Sequence, residues 1–229
     1  MNILIVVATL AEIKPFLEAF KQFKNSDFQE FTYKKNKISI LITGVGMLHT
    51  CFHVYRILSK KKYDLTLNVG IAGTFNQSFE MGKVVQICSE QIGDLGAETP
   101  DNFIPIREMP FFDAHKFPYE NGILYNKRQS NWKSIHNLQQ ASSISVNRVS
   151  GRAKTIAEQQ VLFNVDIESM EGAAFFYVCL MLETCFHEIR AISNVVEVRN
   201  KNNWHIALAI EKLTLTLIEI VEEISQDIS

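Results

Sequence analysis

Short, almost wholly apolar runs alternate along the chain with longer segments in which apolar residues recur every three or four positions. The runs predict strands over Asn2–Ala8, Phe28–Tyr33, Ile38–Thr43, Leu65–Val69, Val84–Ser89, Ser142–Val149, Val165–Ile167 and Glu188–Ser193. Several show no polar alternation, as strands covered on both faces do. The longer segments predict helices over Ala11–Phe23, Met47–Ser59, Arg152–Leu162, Met170–Glu183 and Trp204–Ile224. The last is the clearest, with Ile206, Ala209, Ile210, Leu213, Leu217 and Ile220 on one face. This order predicts an α/β fold, a central sheet covered by helices, built as one domain over residues 1–229. Periodicity disappears between Asp94 and Asn126, where Pro100, Pro105, Pro110 and Pro118 stand among Phe103, Phe111, Phe112, Phe117 and Tyr119. A stretch of this kind is either a binding segment or a surface excursion packed by its own aromatics.

Composition narrows the classes of function. With 229 residues, 47% of them hydrophobic, the chain is long enough to bury a large core. Twenty-three Lys and Arg against 25 Asp and Glu leave a formal charge of −2, so no global field holds nucleic acid or an anionic membrane. Glu12, Lys14 and Pro15 interrupt the first apolar run, and Glu183 and His187 the longest later one, so neither reaches the roughly 20 residues of a membrane span. The opening MNILIVVATL lacks the basic start of a signal peptide and leads straight into a helix, so the cytoplasm is the expected location. Cys51, Cys88, Cys179 and Cys185 lie in apolar segments without CxxC spacing, the pattern of reduced core thiols.

Few motifs carry chemistry by themselves. His49 and His53 have the helical spacing of two metal ligands, but no third ligand or HExxH glutamate accompanies them, and no metal or other cofactor is expected. Gly44-Val45-Gly46 follows a strand and opens a helix, which suits either a tight turn or a ligand contact. Asn68-Val69-Gly70-Ile71-Ala72-Gly73 reads as a second glycine-bearing turn at a strand end, and two such turns point to a common crevice. In Val165-Asp166-Ile167-Glu168-Ser169-Met170-Glu171-Gly172-Ala173-Ala174 a strand ends in acids and runs into a wholly apolar helix. Ser169 could cap that helix while Asp166 and Glu168 stay solvated, but Glu171 is costly there unless it binds something. Arg190-Ala191-Ile192-Ser193-Asn194 ends another apolar strand in polar side chains.

Taken together, the opening strand with Glu12, the turn at Gly44–Gly46, NVGIAG at Asn68–Gly73, ESMEGAA at Glu168–Ala174 and RAISN at Arg190–Asn194 resemble the purine nucleoside phosphorylase and nucleosidase superfamily over about 200 residues. The resemblance implies a three-layer αβα sandwich around a mixed, partly barrel-like sheet, and chemistry at the N-glycosidic bond of a purine nucleoside, in a homodimer or higher homo-oligomer. Ala8-Thr9-Leu10-Ala11-Glu12 offers neither the glycine nor the arginine with which the phosphorylases hold phosphate, so water is the implied nucleophile. Glu12 then resembles the glutamate that deprotonates water, and Met170 and Glu171 the pair that lies against the sugar and accepts from its hydroxyls. Arg190 and Ser193 are implied to steady the site, and Ile71, Gly73, Val149 and Trp204 to touch substrate; for Trp204 packing in the core is the alternative. Asn194 stands where the methylthioadenosine nucleosidases have aspartate, and an amide suits a 6-oxopurine. With EQIGDLGAE at Glu90–Glu98 and ISNVVEVRNKNNW at Ile192–Trp204, the chain most resembles the futalosine hydrolases of menaquinone biosynthesis, which release hypoxanthine. Their substrate carries a carboxylated aromatic 5′ tail, for which Phe103–Phe117 and Arg199 or Lys201 are candidate contacts. Glu197 is a candidate proton source for the leaving base. A nucleosidase for methylthioadenosine or a related nucleoside and a non-catalytic nucleoside-binding module remain the alternatives.

Overall fold

The computed structural model describes residues 1–21, 28–128 and 130–226. Among these the strands are β1 (Asn2–Val7), β2 (Phe28–Tyr33), β3 (Asn36–Ile42), β4 (Leu65–Thr74), β5 (Val84–Ile92), β6 (Gly96–Glu98), β7 (Phe103–Pro105), β8 (Tyr119–Glu120), β9 (Ile123–Tyr125), β10 (Gln139–Ser145), β11 (Ile167–Ser169) and β12 (Phe186–Val195). The helices are α1 (Leu10–Ala19), α2 (Met47–Leu58), α3 (Lys133–His136), α4 (Ala153–Phe163), α5 (Gly172–Met181) and α6 (Ile206–Ile224). The main sheet runs β2-β3-β1-β4-β11-β10-β5-β9-β8, and β12 bonds to both β4 and β5. That double pairing closes β4, β11, β10, β5 and β12 into a ring, from which the other strands extend as two wings.

The layers follow from β1, which is apolar at every turn of its pleat. Ile3, Ile5 and Val7 pack with Ile13 and Phe16 of α1 and Leu213 and Leu217 of α6. Leu4 and Val6 face the other way, toward Val54 of α2 and Phe175 and Phe176 of α5. Helices thus cover both faces of a mixed sheet, the αβα sandwich expected. Among the described residues no helix is long and apolar enough to cross a membrane.

The structure corrects several boundaries. Asn68–Gly73 is no turn but the body of β4, with its glycines marking close backbone approach instead of chain reversal. α1 ends at Ala19, and Gln22 and Phe23 of the predicted first helix lie outside the described residues. The stretch from Asp94 to Asn126 folds into two short antiparallel pairs, β6 with β7 and β8 with β9. Cys51 is exposed, not part of the core, and all four thiols are free.

Two bulges aim the functional side chains. Ile87 and Ser89 of β5 pair with the successive residues Ala141 and Ser142, so Cys88 is an extra residue and Glu90 comes to the same face as Ile87. Likewise Ile192 and Asn194 of β12 pair with Ala72 and Gly73, which makes Ser193 the extra residue and turns Asn194 away from the face of Ile192.

Candidate active site

A cavity of about 280 Å³ opens where the C-terminal ends of β1, β4, β11 and β12 meet the N-terminal turns of α1 and α6. Glu12 enters it from the first turn of α1. Thr9 caps that helix, and Glu12, three residues on, accepts from the Thr9 amide (3.0 Å) and hydroxyl (2.6 Å) through Oε2. Its other oxygen accepts from the Ile71 amide of β4 at 3.1 Å. The carboxyl is 9% exposed, and burial raises its pKa against the opposing effect of the Thr9 and Ile71 bonds. A carboxylate so held is a fixed proton acceptor tuned toward neutral pH.

Glu171 stands just before α5. Helical backbone begins only at Gly172, so Met170 and Glu171 stay free to face the cavity. Glu171 Oε1 accepts from the amide of Gly46 at 3.0 Å, which gives the Gly44–Gly46 turn its purpose: the carboxylate caps the N-terminus of α2, where the helix dipole favours its charge. Gly44 and Gly46 adopt φ of +86° and +98°, values that demand glycine.

Arg190 does not line the cavity. It is 1% exposed and lies behind the wall, its Nε bonded to Glu188 Oε1 at 2.9 Å and its Nη2 4.0 Å from Glu171 Oε2. A Cβ on Gly70 would overlap Nη1 and stand 3.0 Å from Glu12 Oε1, so this glycine is what lets the guanidinium reach the back of both site acids. Burial disfavours the Arg190 charge, but Glu188, Glu171, Glu12 and Glu90 together outweigh it and raise the pKa. Glu90 completes the cluster, with Oε2 accepting from Ser145 (2.9 Å). A Cβ on Gly172 would overlap Glu90 Oε1 and come within 2.6 Å of Glu188 Oε1, so the two acids face each other across a bare backbone. Burial together with Glu188 pushes the Glu90 carboxyl well above its usual value, which favours its protonated form.

The other residues fall into place unevenly. Ile71, Gly73, Val149, Met170, Ser193, Asn194 and Trp204 line the cavity with Glu12 and Glu171. The Ser193 hydroxyl reaches both Ala72 O (3.1 Å) and Asn194 Oδ1 (2.8 Å), and Asn194 Nδ2 donates to Val195 O (2.9 Å), leaving one amide N–H for a ligand. Arg199 stacks on Trp204 with its guanidinium 5.1 Å from the ring centre. It and Phe103 line a second cavity that shares Val149 with the first, whereas Phe111, Phe112, Phe117 and Lys201 line neither. Glu197 accepts from Asn203 at 2.6 Å and does not line the cavity. Glu168, read above as solvated, is 4% exposed and lines it; the burial of its strand on both faces was the signal for this. Three carboxylates thus line the cavity, and no Lys, Arg or His does among the described residues.

The family model described as the phosphorylase superfamily matches residues 2–224. A futalosine hydrolase of Thermus thermophilus is 25% identical over 218 residues, 91% of each chain. A 5′-methylthioadenosine/S-adenosylhomocysteine nucleosidase of Colwellia psychrerythraea is 22% identical over 207 residues, 83% of this chain and 82% of that one. A solved structure of a futalosine hydrolase mutant of Helicobacter pylori matches 97% of this chain and 99% of its own with a TM-score of 0.75 at 18% identity, a likeness of fold.

The raised Glu90 carboxyl has a measurable consequence. A carboxyl whose pKa is higher folded than unfolded takes up protons on folding, so its contribution is full below the unfolded value of 4.5 and is lost as pH rises through the folded value. Glu90→Gln, neutral throughout and able to donate to Glu188, should unfold at a higher temperature than the parent at about pH 8, with the gap closing toward about pH 5. Melting curves that stay parallel across this range would show that Glu90 carries no extra proton.

Proposed function

The chain belongs to the phosphorylase superfamily, and from that premise we propose that it is a nucleosidase that splits the N-glycosidic bond of a 6-oxopurine nucleoside with water, futalosine fitting best. The observation that carries this reading is the charge of the cavity: Glu12, Glu168 and Glu171 line it with no cationic side chain to hold a phosphate dianion. Arg190, behind the cavity wall, is already engaged by buried acids. Phosphate is repelled from such a wall, and uncharged water is not.

In this mechanism Glu12 takes the proton of the attacking water, its position fixed by Thr9 and Ile71. Glu171, held by Gly46, accepts from the ribose hydroxyls, and its charge stabilises the sugar as positive charge develops at the anomeric carbon. Met170 supplies an apolar contact beside the ring. The free N–H of Asn194 donates to O6 of hypoxanthine, which leaves with the electron pair of the glycosidic bond and takes up a proton from solvent, while Glu12 later returns the water's proton to solvent.

Relatives named for futalosine and for methylthioadenosine both support N-glycosyl hydrolysis. The amide at Asn194 favours the 6-oxo base and with it futalosine, a step of menaquinone biosynthesis in the cytoplasm. A homo-oligomer fits the exposed Leu48, Phe52 and Tyr55, which form an apolar stripe on α2.

Chromatography of products from futalosine, aminodeoxyfutalosine, inosine and methylthioadenosine should show release of free base at a rate independent of phosphate; a sugar 1-phosphate product overturns the hydrolase. Because Glu12 acts ionised and burial raises its pKa above 4.5, kcat/KM should fall as pH drops through that raised value. Glu12→Gln should remove turnover, lowering kcat by about 10² or more, while substrate still binds in a titration; retained turnover in this variant would put the base elsewhere. Asn194→Asp replaces a donor by an acceptor facing O6, so the kcat/KM ratio of futalosine to aminodeoxyfutalosine should drop by about one to two orders of magnitude. An unchanged ratio would mean that Asn194 does not read the base.

A further inference from the structure

The sheet sets a second polar side chain beside Asn194. Gly73 of β4 pairs with Asn194 on β12 and with Glu168 on β11, and residues in register on neighbouring strands project to one face. An amide and a carboxylate therefore flank a single glycine at the cavity wall. The amide lies over that glycine, with Nδ2 3.1 Å and a Val196 methyl 2.9 Å from the place of a Cβ, so only glycine leaves room for Asn194 in this position. At the usual strand spacing the Cα atoms of Asn194 and Glu168 stand about 10 Å apart, room for the polar edge of one ring between the two side chains.

Glu168 is anchored by Ser150. The Ser150 amide donates to its Oε1 at 3.0 Å and the Ser150 hydroxyl bonds its Oε2, with Gln159 behind that hydroxyl. An ionised carboxylate offers about four lone-pair positions, and Ser150 takes two. The same bonds use up the Ser150 N–H, the backbone donor next to Val149. This stretch of wall thus presents the remaining acceptor capacity of the Glu168 carboxyl. A 6-oxopurine carries a hydrogen at N1 and needs an acceptor; a 6-aminopurine presents a bare lone pair at N1 and needs a donor.

We propose that Glu168 accepts the N1–H of the bound purine and so forms, with Asn194 at O6, a two-residue readout of a 6-oxopurine base. The assignment rests on the 6-oxopurine reading of the site given above. Burial raises the Glu168 carboxyl and the two Ser150 bonds draw it back toward the ionised form that can accept.

The test pairs a change in the substrate with a change in the protein. Against the wild type, futalosine methylated at N1 should show kcat/KM at least about tenfold below that of futalosine. Glu168→Ala removes both the acceptor and the obstructing wall, and should bring the two substrates to within about threefold of each other. Glu168→Gln keeps an acceptor for Ser150 and adds an amide donor, so its futalosine to aminodeoxyfutalosine ratio should fall about tenfold, with a thermal midpoint near the parent's. An N1-methyl penalty that survives intact in Glu168→Ala overturns the role of Glu168 and leaves the 6-oxopurine reading standing. Failure of the wild type to cleave any 6-oxopurine nucleoside overturns both.

Discussion

The Arg190 guanidinium, 1% exposed, is the charge against which the site is assembled. Glu188 binds its Nε, Glu171 lies 4.0 Å from Nη2, and Glu12 approaches the same group across Gly70. A buried ion is costly unless its partners are well placed, and the carboxylates here are well placed because each stands on a different rigid element. One cation lies 4.0 Å from Glu171 and close behind Glu12, and the acid behind it, Glu188, fixes its orientation. Burial and Glu188 favour the protonated form of Glu90, which lessens the negative charge of the cluster.

Backbone economy makes this arrangement possible. Gly70 and Gly172 are the points where an added methyl would strike the cluster, and Gly73 is the point where it would strike Asn194 and Val196. The bulges at Cys88 and Ser193 do the complementary work: each inserts one residue and so changes which face the next side chain takes. Without the second bulge Asn194 would share the face of Ile192, inside the packed layer under α2 and α5.

The cavity's chemistry follows from what is missing beside these acids. A wall of carboxylates stabilises a sugar becoming cationic and opposes an anionic nucleophile, so one electrostatic pattern favours water and the transition state together.

The sequence by itself determined the elements and most of the site's membership. Apolar runs without alternation marked buried strands, and Glu171, an acid ahead of a wholly apolar helix, marked itself as a partner of something, because its burial is otherwise too costly; Glu12 was legible only through the family resemblance. The tertiary structure decided geometry that local pattern does not encode. Asn68–Gly73 looked like a turn because glycine is common in turns, and only the approach of Arg190 and Asn194 from β12 shows why glycine occupies a strand. Arg190 itself read as a ligand contact, yet its place behind the wall depends on Glu188, two residues away on the same strand, and on Glu171 from another segment. Glu168 read as a solvated acid, since nothing in its neighbourhood along the chain reveals that Ser150, 18 residues earlier, closes over it. Pairing between distant strands sets which side chains share a face, and that register exists only once the sheet has formed.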